Sequence, residues 1–308
     1  MISNHARPKI GVIGVGEMGR PIALNLVRAE YSVTAYDISK EALDEIGQHG
    51  VTVSTSAIDL AKKSDLIITI LPNADAVRSS VLGSGGILQV LHENHTLIEM
   101  STIDVGTTKE LERKVKQKGA AFIDAPIGGT PDRASTRDLL ILASGDKAVV
   151  DICMDVMNAI AKNVEYVGKA GSGKIVKLTN NLLIAIHKVA TAEAVSFALK
   201  QGIDPDILIR SVIESTGDSR VFERFCGAAV GKDRETGKRH SWHLKDLGLI
   251  LDLSRESGVS LPMANFSRDI IQAATEESGG QENFDSLVGF YKKNMKLELA
   301  DSLQKTNQ

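Results

Sequence analysis

A doubly wound α/β domain followed by an all-α domain is the fold class predicted by three observations. Short apolar segments alternate with helical ones through the first half of the chain. A glycine-rich turn separates the first of those strands from the first helix. After Gly173 the strand-length segments stop, and one long helical pattern without proline begins. The length of 308 residues suits two domains. The glycines between Gly168 and Gly173 suit a hinge, so residues 1–170 are expected to form the first domain and residues 171–308 the second.

The elements follow in order. Ile10, Val12 and Ile13 form an apolar strand that runs into Gly14, Gly16 and Gly19, matching G-x-G-x-x-G. A helix is expected over Arg20–Ala29, with Ile22, Leu24, Leu26 and Val27 as its apolar residues. A second strand, Ser32–Tyr36, ends at Asp37. Further strands are expected at Leu66–Leu71, ended by Pro72, and at Thr96–Met100, followed by Ser101 and Thr102. Others are expected at Ala121–Asp124, Leu139–Ala143 and Val164–Val167, and the early β-α-β-α order implies a parallel sheet. Helices are expected over Lys174–Gln201, Pro205–Glu214, Leu244–Ser257, Pro262–Glu277 and Phe284–Leu299. The polar, turn-rich segment Gly227–Arg239 reads as a loop.

The succession strand, glycine turn, helix, strand, acid has a chemical reading. Gly14 permits the tight turn, Gly16 lets a pyrophosphate approach the backbone, and Gly19 lets the helix pack close to the sheet. The helix start offers free N–H groups and the positive end of its dipole to a phosphate. Gly14, Val15, Gly16, Glu17 and Met18 are therefore the cofactor-facing turn of a Rossmann-like domain. Asp37, 18 residues after Gly19, is placed to accept hydrogen bonds from ribose hydroxyls. A carboxylate there repels a 2′-phosphate, which favours NAD over NADP. The nearest cation is Lys40, which keeps NADP open as the less favoured cofactor.

Composition narrows the partners. A net charge of −3 points neither to nucleic acid nor to a membrane surface. The apolar runs are strand-length, so no segment reads as transmembrane. The N-terminal MISNHARPK lacks the apolar stretch of a secretory signal. Cys153 and Cys226 read as two free thiols, which fits a reducing cytoplasm.

Ligands of open α/β sheets bind beyond the carboxyl ends of the strands. Those ends carry Leu71-Pro72, Ser101-Thr102 and the loop Asp124–Thr130. The N–H groups of that loop suit a carboxylate, and the alternative is an ordinary turn. Gly173, Lys177 and Asn181 are spaced by four and share one face of the long helix. Taken singly, a helical lysine is usually a solvated charge and an asparagine a surface residue. The spacing nonetheless suits carbonyl chemistry. An ammonium can protonate a developing alkoxide, a neutral amine can take a proton from an alcohol, and an amide can hold the same oxygen. Lys174 falls on a different part of the helix surface, and Lys174→Ala is expected to be far milder than Lys177→Ala. His187 reads as structural, and Trp242 and His243 as residues that either shape the pocket or pack near a helix start.

Four ordered motifs together resemble the β-hydroxyacid dehydrogenase family of the 3-hydroxyisobutyrate dehydrogenase type. They are Gly14–Asn25 (GVGEMGRPIALN), Asp124–Thr130 (DAPIGGT), Gly173-Lys177-Asn181 and Lys245-Asp246-Leu247, and the resemblance covers nearly the whole chain. It implies that Lys177 is the catalytic acid/base and that Asn181 holds the substrate oxygen. It implies that Leu71, Pro72 and Thr102 line the cofactor, and that Lys245 reaches the nicotinamide end of the site. It also implies a homodimer or homotetramer formed through the helical domain, and a small acidic substrate held by Thr102, Gly128, Gly129 and Thr130. The chain departs from the family where Gly128-Gly129-Thr130 replaces the usual Ser-Gly-Gly, leaving Thr130 to take the serine's role. Arg133 and Arg137 follow in place of a small-residue turn. This stretch is similar to the sulfolactaldehyde reductase branch, which however has an arginine where this chain has Gly129. A non-catalytic NAD-binding scaffold is the alternative outside enzymes, and the presence of Lys177 speaks against it. Imine reductases typically replace that lysine, and 6-phosphogluconate dehydrogenase has a longer helical domain.

Overall fold

The structure, a computed structural model, describes residues 7–230, 241–280 and 284–294. It divides into two compact units, residues 1–177 and 178–308.

The first unit is built on nine strands: β1 (Ile10–Ile13), β2 (Val33–Tyr36), β3 (Thr52–Val53), β4 (Leu66–Thr69), β5 (Thr96–Glu99), β6 (Ala121–Asp124), β7 (Ile127–Gly128), β8 (Leu140–Gly145) and β9 (Asn163–Tyr166). Their order is β3-β2-β1-β4-β5-β6-β8-β7, with β9 beside β8. Every residue of β1, β4 and β5 is buried, the pattern of strands covered on both faces. Side chains alternate between the faces, so neighbours in sequence enter opposite layers. Val12, Ile68, Ile98 and Ile123 pack with Ile22 and Leu26 of the helix Gly19–Arg28. Ile13, Ile67, Leu97 and Phe122 pack on the other face with Leu60, Val77 and Leu111. The order of strands reverses between β1 and β4, which makes their carboxyl ends the switch point where such sheets bind ligands.

The sheet is parallel from β3 through β6. Beyond β6 the direction changes, and β8 runs antiparallel to both β6 and β7. A parallel return needs a full crossover helix, and the connection here holds only β7 and the five-residue helix Pro131–Ser135. The helices Lys147–Ile152 and Met154–Ile160 supply a crossover, and β9 pairs parallel to β8.

The second unit is helical. It takes in most of the helix Ser172–Lys200, followed by Pro205–Ile213, Arg220–Ala229, Ser241–Ser257, Pro262–Glu277 and Phe284–Asn294. Its core gathers Leu178, Ala185, Val189 and Val195 with Phe222, Leu247, Ile271 and Leu287. The helix Arg220–Ala229 has no counterpart in the sequence reading, and its last turn holds Gly227 to Ala229, which were expected in a loop. Residues 231–239 of that expected loop, and 295–299 of the expected last helix, lie outside the described residues. Contrary to the expectation of strand-length runs, the helix Ser172–Lys200 is long and apolar enough to cross a membrane by length and composition. Its buried residues are part of a packed core, as in many core helices.

Candidate active site

Three features shape the nucleotide end. Gly14 has φ +92°, and a Cβ there would lie 2.2 Å from the Ile70 carbonyl oxygen. A Cβ on Gly19 would lie 1.8 Å from the Gly14 oxygen, so the helix start is pressed against the turn. Gly16 is the reverse case: it is exposed, and a Cβ would meet no protein atom within 4 Å. Packing therefore does not require glycine at this position. The helices starting at Lys40, Ala74 and Val105 are capped by the side chains of Ser39, Asn73 and Asp104. The helix starting at Gly19 follows Met18, with no side-chain cap, which leaves its end to an incoming anion.

Asp37 stands directly after β2 and is half-buried. Its carboxylate accepts the Val15 N–H at 2.8 Å and the Ser39 N–H at 2.9 Å. A carboxylate offers about four acceptor positions, so both oxygens retain capacity for ribose hydroxyls. Ile38 beside it is 95% exposed, and Lys40 is exposed at the start of the next helix. The turn, the uncapped helix and the acid together fit a dinucleotide.

The carboxyl ends of the middle strands are joined by one polar network. The Leu71 N–H donates to Ser101 Oγ at 2.9 Å, and the Ser101 N–H donates to Glu99 Oε1 at 2.7 Å. Lys174 Nζ donates to Glu99 Oε2 at 2.6 Å and lies 2.8 Å from Asp124 Oδ1. The second contact is an ion pair without hydrogen-bond alignment. Asp124 Oδ2 accepts from Ser144 Oγ at 2.7 Å and from the Gly171 N–H at 2.9 Å. The Gly173 N–H donates to Ser144 Oγ at 3.2 Å. The side chains of Lys174, Glu99 and Asp124 have no exposed surface. Lys174 is therefore a buried, paired charge and not a surface one. Burial pushes the Glu99 carboxyl up, against the pull of Lys174 and the Ser101 N–H. Burial alone would lower Lys174, but Asp124 and Glu99 outweigh it and hold the ammonium above the usual lysine range.

Gly173 explains how the helix comes this close. A Cβ there would lie 2.5 Å from the Leu142 oxygen and 2.9 Å from Pro126 Cδ. Lys177 lies one turn beyond Lys174 on the same helix and is half-buried. Thr102 is half-buried next to Ser101, as is Leu71, while Pro72 is exposed.

The segment after Asp124 is more structured than a bare loop, because Ile127 and Gly128 form β7 against β8. Gly129 is exposed with φ +149°, and a Cβ would fall 2.3 Å from Leu139 Cδ2. Thr130 is half-buried before the short helix Pro131–Ser135 and makes no side-chain cap. Arg133 pairs with Asp138 at 2.9 Å.

In the second unit, Asn181 is buried. Its Nδ2 donates to Asp246 Oδ2 at 2.6 Å, and its Oδ1 accepts from Asn180 at 3.2 Å. Lys245 is half-buried, with Nζ 3.6 Å from Asp246 Oδ1. His187 is half-buried on the long helix, and the side chains of Trp242 and His243 lie outside the described residues. Sequence reasoning gave no role to Glu99, Lys174 or Asp246. Their signals were present: an acid closing an apolar strand just before Ser101-Thr102, a second lysine in the glycine-lysine segment, and an acid inside a quoted motif.

This fold and this nucleotide end define a dinucleotide-binding α/β oxidoreductase. A family model described as the NAD binding domain of 6-phosphogluconate dehydrogenase matches residues 9–168. One described as NAD-binding of NADP-dependent 3-hydroxyisobutyrate dehydrogenase matches residues 171–291. L-threonate dehydrogenase of Cupriavidus necator is 30% identical over 92% of this chain and 95% of its own length. Mitochondrial 3-hydroxyisobutyrate dehydrogenase of Drosophila melanogaster is 30% identical over 92% of this chain and 89% of its own. Among solved structures, 3-hydroxyisobutyrate dehydrogenase of Mycobacterium tuberculosis, with L-serine, superposes with a TM-score of 0.84. It is 26% identical, covering 92% of this chain and 99% of that one. The chain belongs to the β-hydroxyacid dehydrogenase family, whose members are NAD(P)-dependent dehydrogenases acting on CH–OH groups.

Proposed function

We propose that this enzyme uses NAD to interconvert a small β-hydroxyacid and its semialdehyde, with Lys177 as general acid/base. The turn Gly14–Met18 and Asp37 would hold NAD(H), which would supply the hydride acceptor in oxidation and the hydride donor in reduction. Lys177 Nζ removes the hydroxyl proton in oxidation and returns one to the carbonyl oxygen in reduction. Asn181 orients that oxygen, with Asp246 holding its amide. Thr102, Thr130 and the N–H groups of Gly128 and Gly129 hold the acid group. Leu71, Pro72 and Thr102 line the cofactor, and Lys245 reaches its nicotinamide end. Asp37 selects NAD over NADP, and Ile38 offers the adenine an apolar face.

The observation that carries this reading is the anchoring of the helix Ser172–Lys200. Its first turn is tied to the carboxyl ends of β5 and β6, and Lys177 follows one turn later. Gly129, where the sulfonate-using branch has arginine, favours a carboxylate over a sulfonate. Domains of residues 1–170 and 171–308, cytoplasmic location and a homo-oligomer through the helical domain complete the proposal. Leu183, Phe197, Ile207, Met263 and Phe266 are each at least half exposed in the helical region, which supports self-association. The test is a panel of 3-hydroxyisobutyrate, L-threonate, 2-(hydroxymethyl)glutarate and sulfolactaldehyde with NAD(H) and NADP(H). Turnover of a β-hydroxyacid with NAD is the expected result. NADH binding without turnover of any of them would favour the scaffold alternative.

A further inference from the structure

We infer that Lys174 is a positioning residue for the reaction: its contacts with Glu99 and Asp124 set where Lys177 sits. The inference rests on reading Lys177 as the acid/base. Each partner of Lys174 opens onto a different part of the site. Glu99 also holds the Ser101 N–H, and Ser101 Oγ holds the Leu71 N–H, so this arm fixes the segments that carry Thr102 and Pro72. Asp124 precedes the segment Gly128–Thr130 and also holds the Gly171 N–H. Lys174 itself belongs to the first turn of the helix that carries Lys177. Three segments that must agree in position to act on one substrate thus meet at a single ammonium group.

The chemistry of the cluster fits this role better than a role in stability. Two carboxylates and a lysine without exposed surface have lost their hydration, and a well-packed apolar cluster often does as well or better for stability. An ammonium drawn at 2.6 Å to one strand end and 2.8 Å to another does something apolar packing does poorly: it links two particular strand ends to one helix turn. Gly173 limits the freedom of the helix start by bringing it against the Leu142 carbonyl and Pro126. Lys174 then settles its rotation, and residues three apart on a helix are neighbours on its surface.

The test compares Lys174→Gln with the wild type, each with and without Lys177→Ala. The readouts are melting temperature, NADH titration by fluorescence, and kcat and KM for the hydroxyacid found by the panel. Competitive acetylation by acetic anhydride, read by mass spectrometry, follows Lys177 reactivity against pH without any substrate. Lys174→Gln should lower kcat about 10–100-fold, the scale of an ångström-sized misplacement. NADH affinity and KM should stay within about threefold, and little further loss should appear in the Lys177→Ala background. The Lys177 acetylation profile should shift, while exposed Lys147 and Lys162 keep theirs. If Lys174→Gln does not fold, Glu99→Gln with Lys174→Gln removes one charge of each sign and is measured in its place. A lower melting temperature with unchanged kcat, or equal proportional losses in both backgrounds, overturns the inference. If Lys177→Ala alone retains turnover, the acid/base reading fails instead. The positioning of Lys177 by Lys174 is then judged by acetylation, where an unchanged profile overturns it.

Discussion

The carboxyl ends of β1 and β2 and those of β5 and β6 belong to one sheet but use polar groups in opposite ways. At β1 and β2 the donors are backbone N–H groups, the acid is the half-buried Asp37, and Gly16 faces open space. At β5 and β6 the groups are full charges, Lys174 with Glu99 and Asp124, and none of the three side chains is exposed. The first arrangement keeps hydrogen-bonding capacity to offer. The second is complete in itself. Polar groups at strand ends therefore divide into those that receive a ligand and those that hold the receiving segments in place. Exposure, more than residue type, separates them.

Four substitutions test this division. The largest effect is expected at Lys177, which belongs to neither cluster. Lys177→Ala should reduce turnover by roughly 10²–10⁴, the contribution of a positioned acid/base, while NADH titrations and melting curves stay close to wild type. Retained turnover would remove the chemical step from this helix.

Next comes Lys174→Met, which leaves two buried carboxylates without their cation. Breaking such a cluster costs about 3–5 kcal/mol of stability, measured by urea unfolding at neutral pH. A loss below about 1 kcal/mol would mean that the cluster is far better hydrated than its burial implies. The pH dependence has a definite sign. The folded-state pKa of Lys174 is raised above its ordinary value of 10.5. Its contribution is therefore fully present below the ordinary lysine pKa and is lost only as pH rises through the folded value. The stability gap between wild type and Lys174→Met should narrow at the strongly alkaline end, as Lys174 loses its proton, and should narrow again as pH falls, because protonation relieves the buried carboxylates left without their cation.

Asp37→Ala should show the reverse pattern. NAD should bind about tenfold more weakly, about 1.4 kcal/mol, and NADP discrimination should relax. Unfolding should change less than for Lys174→Met, because Asp37 is half-buried. Equal damage to stability from both variants would erase the distinction between the two strand ends.

The smallest effect is expected at Gly128, where a Cβ would meet only ordinary contacts at 3.6 Å from Leu140. Gly128→Ala should raise the hydroxyacid KM a few-fold and leave NADH affinity unchanged. Gly129 is a poor probe of the same segment. A side chain there would be strained by φ +149° and would overlap Leu139, so losses would mix binding with folding.

The strands were legible wherever they are buried on both faces. Ala121–Asp124 coincides with its expectation, and Leu66–Thr69 and Thr96–Glu99 differ from theirs only at the last residues. Thr52–Val53 was not, because both residues are exposed and two residues carry no period. Arg220–Ala229 was masked by Gly227 and by the polar stretch before Ser219, although Phe222, Cys226 and Ala229 trace a buried face. The nucleotide turn was legible because its residues are consecutive and each glycine has its own steric reason. Lys174 was not, because a lysine is almost never fully buried unless paired, and its partner Glu99 is 75 residues away. Nothing local marks the pairing; only the folded sheet brings β5 beside β6.

The bond from the Val15 N–H to Asp37 has a kinetic consequence. It ties the glycine turn to the second strand before any dinucleotide arrives. The conformational entropy of ordering that turn, about 1–2 kcal/mol per residue, is lost when the chain folds and not when the cofactor binds. A ligand meeting a finished cradle has no loop closure to wait for, so its arrival can approach the limit set by diffusion and orientation. Its departure then depends on the few contacts it made, which suits a carrier that must leave after every turnover.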